Sequence, residues 1–145
     1  MSIVFTTAID INATPEEVWA VLTDFPSYGE WSNFSKVEGV AKVGERLSMR
    51  MPGFSFKSTV TVVKPDEELE WAASLFRESI FQGRHTFTLA RNPEGTTRLT
   101  NTETFSGGLV RPLKGFFKQG SGDQTHGYAR FNRALKMRVE SRANR

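Results

Sequence analysis

Cysteine is absent from this chain. That excludes disulfides, thiolate zinc sites and thiol nucleophiles together. Histidine is scarce: His85 and His126 are the two it has. His126 stands alone in Thr-His-Gly, with no second histidine at ligand spacing, so neither a metal nor a cofactor is expected. The glycines of Gly120-Ser-Gly-Asp123 are not followed by Gly-Lys-Ser/Thr, so they do not form a phosphate loop. No nucleophile elbow accompanies a Ser-His-Asp set. No run approaches the ~18 consecutive apolar residues of a membrane span. The N-terminal Met-Ser-Ile-Val-Phe has no basic n-region before a long apolar stretch. A cytoplasmic protein without stable membrane insertion is therefore expected. Asn12-Ala-Thr and Asn33-Phe-Ser match the glycosylation pattern but carry no weight without an export signal. Charge of one sign is lacking too: 19 basic against 16 acidic residues give +3, too balanced to indicate nucleic acid.

What is present is aromatic bulk. Twelve Phe and three Trp occur in 145 residues. A chain of this length is read as one domain, 1–145. A domain of that size buries roughly 70% of its unfolded surface, enough for a core.

Asn12 to Trp31 organises the chain. Thr14 can cap a helix, Pro15 suits the first helical position, and Glu17 completes a capping box. Val18, Trp19, Val21 and Leu22 share one stripe, and Asp24-Phe25-Pro26 stops the helix. A second short helical turn follows, to Trp31. Such short helices are marginal alone and need an apolar surface to lie on.

Strands supply that surface. Residues 2–11 are β-branched and read as the first strand. Others are predicted near Ser35–Val40, Arg46–Met51 and Phe54–Val63, the last with Phe54, Phe56, Ser58, Val60 and Val62 on one side. The next strand aligns Leu69, Trp71, Ala73 and Leu75. Ile80–Arg91 places Phe81, Gly83, His85, Phe87 and Leu89 on one face. After the hairpin loop Asn92–Gly95, Thr96–Phe105 aligns Leu99, Asn101, Glu103 and Phe105. From about Leu109 to Arg142 the period turns helical, with Phe117, Gln124, Tyr128, Phe131, Leu135 and Val139 along one stripe. Gly115, Gly120, Gly122 and Gly127 weaken its first half, at roughly 1 kcal/mol each against alanine. Arg130, Arg133, Lys136, Arg138 and Arg142 crowd its later turns, which suits the helix dipole and a solvated face. The class is α+β: two short helices after the first strand, a curved antiparallel sheet of about seven strands, and a long C-terminal helix that the sheet wraps. Sheet and helix leave a space between them.

Several spaced residues carry a resemblance. They are Ile11-x-Ala13-x-Pro15-x-x-Val18-Trp19, Leu22-x-Asp24, Tyr28-x-x-Trp31, Gly44-x-x-Leu47 and Leu69-x-Trp71. Gly83-x-His85-x-Phe87-x-Leu89, Thr97-x-Leu99, Glu103-x-Phe105-x-Gly107 and Phe131-x-x-Ala134-Leu135-Lys136 continue it. In this joint order the chain resembles the START-like, or Bet v 1-like (SRPBCC), superfamily, and more narrowly its polyketide cyclase/dehydrase-like branch. The resemblance implies a helix-grip fold and a cavity for an apolar or amphipathic small molecule. It implies no single activity, and no common catalytic set can be carried over.

His85 and Glu103 are the chemically informative pair. A tight hairpin puts Leu89 opposite Leu99, Phe87 opposite Asn101 and His85 opposite Glu103. Opposed Cβ atoms lie about 5 Å apart, within hydrogen-bond reach. A carboxylate orienting an imidazole beside an apolar cavity makes a general base, and an ion pair would raise the His85 pKa. The alternative is a buried polar pair that satisfies itself or orients a ligand. Asn101 and Ser58 share the inward faces as polar anchors or ligand contacts. Trp31, Phe56, Trp71, Phe87 and Phe105 are candidate cavity walls or plain core. Phe116, Phe117 and Tyr128, on the glycine-weakened helix, are a candidate gate.

Three functions follow as expectations. The first is binding of a lipid, polyketide or aromatic ligand. The second is a cyclase or dehydratase with His85 as base held by Glu103. The third is an interaction module with a filled core. Phe76 and Phe81, on exposed-looking strands, suggest self-association as a homodimer.

Overall fold

The computed structural model describes residues 2–75, 77–112 and 126–143. Strand β1 (Ser2–Ile11) leads into helix α1 (Pro15–Leu22), a 3-10 turn (Phe25–Ser27) and the single turn α2 (Tyr28–Trp31). Six strands follow: β2 (Lys36–Glu38), β3 (Arg46–Met51), β4 (Phe54–Lys64), β5 (Glu68–Leu75), β6 (Phe81–Arg91) and β7 (Thr97–Ser106). Helix α3 (His126–Ala143) closes the order. The curved sheet runs β1-β7-β6-β5-β4-β3-β2, and every pairing is antiparallel. This is the α+β helix-grip architecture expected. Among the described residues no helix is long and apolar enough to cross a membrane.

Local chemistry sets α1. Thr14 accepts from the Glu17 N–H at 3.2 Å, and the Glu17 carboxylate accepts from the Thr14 N–H at 3.0 Å. Such a cap contributes about 1 kcal/mol. Val18, Val21 and Leu22 are then buried on the sheet, as are Phe25 and Tyr28 beyond the proline break. The Tyr28 hydroxyl donates to the Leu22 carbonyl, which fixes α2 against α1.

Helix α3 buries Phe131, Leu135 and Val139, one turn apart on a single stripe. Each contributes roughly 1.5–3 kcal/mol by leaving water. Part of its basic face holds the helix in place. Lys136 Nζ donates to the Asp10 carbonyl at 2.9 Å and pairs with Glu140. Glu140 in turn accepts from the Asn12 N–H at 2.9 Å. Arg138 pairs with Glu30 on α2 at 2.6 Å.

Three expectations are corrected here. Residues 109–112 form turns, not the start of a helix. The Leu109 N–H donates to the Ile80 carbonyl, and Gly107 passes so close to Ile80 at φ +110° that a Cβ would lie 2.5 Å from its oxygen. The chain must turn there before any helix begins. In β4 a bulge separates Val60 from Val62, so Val63, opposite Leu69, takes the inward place assigned to Val62. Phe81 is half-buried and stacked on Phe105 at 5.6 Å, so it is not the exposed ring that its strand suggested. Phe76, Phe116 and Phe117 lie outside the described residues.

Candidate functional site

Antiparallel register builds the site in rows. Trp71, His85, Glu103 and Phe5 stand directly opposite one another across β5, β6, β7 and β1. One step along the strands, Leu69, Phe87, Asn101 and Thr7 form the next inward row. The predicted opposition of His85 and Glu103 is therefore present.

Their bonding differs from expectation. His85 Nδ1 lies 3.9 Å from Glu103 Oε2, too far for a hydrogen bond. The ring is held instead by Asn101, whose Oδ1 lies 2.5 Å from Nε2. Asn101 spends its own N–H on Asn132 Oδ1 of α3 at 2.9 Å. Its oxygen is thus left to accept, which places the imidazole proton on Nε2 and a lone pair on Nδ1. The reason lies in ring direction. His85 stacks on Phe87, with centroids 4.5 Å apart and planes at 15°, and so leans toward the row that holds Asn101. Trp71 at 5.3 Å and Tyr128 at 5.4 Å complete an aromatic box around it.

Such dryness sets the charge states. Burial pushes the His85 pKa down to about 4, against a smaller upward pull from Asn101. Burial pushes the Glu103 carboxyl up to about 8. Near neutral pH the imidazole is neutral and the carboxyl holds its proton, so the expected ion pair does not form. Burial, with the Glu103 charge second, also holds the Tyr128 hydroxyl well above its ordinary value. Glu103 Oε2 is buried without a hydrogen-bond partner among the described residues.

Both groups line a cavity of about 600 Å³. Its apolar wall includes Phe34, Phe56, Trp71, Phe81 and Phe105, and Ser58 adds a small polar floor. Gly83 makes room: a Cβ there would meet the Phe105 ring at 3.2 Å and Glu103 Oε1 at 3.6 Å.

Of the sequence candidates, Phe56, Ser58, Trp71 and Phe105 line this space together with His85 and Glu103. Trp31, Phe87, Asn101 and Tyr128 do not. Phe87 and Asn101 are fully packed behind the imidazole. Trp31 leans on Tyr28 and Phe131, at 4.9 and 5.2 Å. Tyr128 stands edge-on over His85. Phe117 falls outside the described residues. No described residue of α3 lines the cavity; its described lining comes from the strands and Phe34, and the helix stripe fills the other part of the concave face. Sequence reading missed Phe34, Phe54 and Phe81 as walls, and Arg46 and Lys57 at the rim. The small inward residues Ala73 and Gly83, amid aromatics on β5 and β6, were the available signal for vacant volume.

Among solved structures, protein MLL2253 from Mesorhizobium loti superposes with a TM-score of 0.71 at 24% identity, covering 97% of this chain and 98% of that one. Norcoclaurine synthase from Thalictrum flavum, in complex with dopamine and hydroxybenzaldehyde, gives 0.72 at 13% identity over 97% and 88%. The di-domain ARO/CYC StfQ from the steffimycin biosynthetic pathway gives 0.75 at 12% identity; all of this chain covers 53% of that one. Likenesses this distant show a shared fold. No curated protein matches the sequence. Residues 2–140 match the family described as polyketide cyclase / dehydrase and lipid transport, with the strands, the site and helix α3 nearly to its end inside that span. The chain therefore belongs to the polyketide cyclase / dehydrase and lipid transport family.

Proposed function

We propose that the protein binds a hydrophobic or amphipathic small molecule, of lipid, polyketide or aromatic type, in the cavity lined by His85 and Glu103. One observation carries this reading. The Glu103 carboxyl and the neutral imidazole of His85 are the polar groups of an otherwise largely aromatic wall around about 600 Å³ of space. An apolar cavity with a few convergent polar groups is the ordinary form of a ligand site. Family membership supports the same reading. Thermal-shift and native mass-spectrometric screening of fatty acids, aromatic polyketides and phenols tests it. Stabilisation with a one-to-one mass increment is expected. A set of such compounds that gives neither would overturn it.

A second reading is favoured by the two free atoms. His85 Nδ1 carries a lone pair and Glu103 carries a proton, both beside the same cavity. A bound polyketide with an acidic C–H could lose that proton to Nδ1, while Glu103 protonates a departing hydroxyl, which leaves as water. The elements of water are thereby removed from one substrate, a dehydration. Asn101 would orient the base, in place of Glu103. Loss of dehydration in His85→Gln, with ligand binding retained, would support it; unchanged turnover would remove His85 from the role.

A further inference from the structure

The cavity does not end at the inner face of the sheet. Strand β4 pairs with β5 only from Thr59 opposite Ala72 to Lys64 opposite Glu68. Among the described residues its first half, Phe54–Ser58, pairs with β3 alone, and Ala73–Leu75 of β5 with β6 alone. The two strands therefore diverge, and backbone groups on both sides of the divergence face a gap. A cavity beneath a closed sheet touches one face of each strand. This one touches both: Phe56, Ser58 and Trp71 from inside, Lys57, Arg46 and Ser74 from outside. A second hollow of about 370 Å³ lies on the outer face and shares Arg46, Lys57, Ala73 and Ser74 with it.

Cations outnumber acids at that gap. Arg46 stands opposite Thr59 on the outer face, and Lys57 lies two residues before Thr59 on the same strand. Diagonal neighbours of this kind sit about 7–8 Å apart, near enough for one small anion to reach both. Neither has an ion-pair partner among the described residues. The third cation there, Arg84, is already bound to Glu70 at 3.1 Å. Glu78 is the one acid among the described residues lining the outer hollow. The inner end offers Glu103 and His85.

We infer that the cavity takes an amphipathic acid, with its apolar body against Phe56 and Trp71 and its anionic end in the β4–β5 gap, held by Arg46 and Lys57. The inference rests on the reading of the cavity as a ligand site and adds the polarity and orientation of the ligand. The gap is also its route of entry, since an end group bound there need not cross the apolar interior.

Displacement of a neutral dye, N-phenyl-1-naphthylamine, from the full chain tests it with a matched pair, decanoic acid and 1-decanol at pH 7.5. The acid should displace at a concentration on the order of tenfold lower than the alcohol, the worth of one charge-assisted contact. The exposed double variant Arg46→Gln/Lys57→Gln should erase that preference and leave dye and alcohol affinities unchanged. Equal displacement by acid and alcohol, or an acid preference that survives in the double variant, overturns the inference while dye binding leaves the cavity reading intact. Failure of the dye and both competitors to bind sinks both.

Discussion

Asn101, not the carboxylate opposite, holds the imidazole of His85: its Oδ1 lies 2.5 Å from Nε2, against 3.9 Å from Nδ1 to Glu103. The contact is diagonal across two strands, and it continues through Asn101 to Asn132 on α3. A buried amide thus connects the helix to the tautomer of a cavity-lining ring.

Replacing that amide should expose its role. Asn101→Leu removes the acceptor of a buried N–H and leaves Asn132 unpaired, at an expected cost of about 1–3 kcal/mol in urea unfolding. Long-range ¹⁵N–¹H spectra should show His85 protonated at Nε2 in the natural protein near pH 7, and a changed tautomer in the variant. An unchanged ring pattern would mean that Asn101 does not set the tautomer.

The two shifted groups act oppositely on stability. His85 titrates at about 4 when folded, below its ordinary 6.5, so between those values the unfolded chain binds more protons and stability rises with pH. Glu103 titrates at about 8 when folded, above its ordinary 4.5, so between those values the folded chain binds more protons and stability falls with pH. The slopes offset each other from pH 4.5 to 6.5, and the Glu103 slope stands unopposed from 6.5 to 8. Urea midpoints should therefore fall from pH 6.5 to 8.5. Glu103→Gln should flatten that fall and stabilise the protein at pH 8.5 more than at pH 5. Parallel profiles for the two proteins would contradict these charge states.

Register was legible in the sequence because the Asn92–Gly95 loop fixes the β6–β7 pairing, and the opposition of His85 and Glu103 follows from it. The stripe of Phe131, Leu135 and Val139 and the Thr14–Glu17 box were equally plain, since both depend on local spacing. Ring direction was not. Stacking on Phe87 turns His85 toward the next row, and alternation does not encode a diagonal. The bulge that exchanges Val62 for Val63 breaks the alternation from which faces are read. The divergence of β4 from β5 has no local signature beyond small residues such as Ala73. The turn at 107–112 depends on the close approach of Gly107 to Ile80, a contact between distant parts of the chain.

The helix and its cap divide the packing energy unequally. Leu22→Ala, at a fully buried position of α1, should cost about 2–5 kcal/mol. Thr14→Ala should cost about 1 kcal/mol, the worth of a cap. Chemical denaturation gives both values. A cap variant as damaging as the core variant would mean that α1 is held by its end and not by its buried face.

Vacant volume beside Gly83 is the centre of the functional reading, and one titration bears on it most directly. N-phenyl-1-naphthylamine is titrated into the natural protein and into Gly83→Leu, whose Cβ would press on the Phe105 ring and whose side chain would take up volume of the cavity that Gly83 lines. Saturable one-to-one fluorescence enhancement in the natural protein, weakened at least about tenfold in a folded Gly83→Leu variant, is the expected result. Equal binding by both proteins, or none by the natural one, would contradict it.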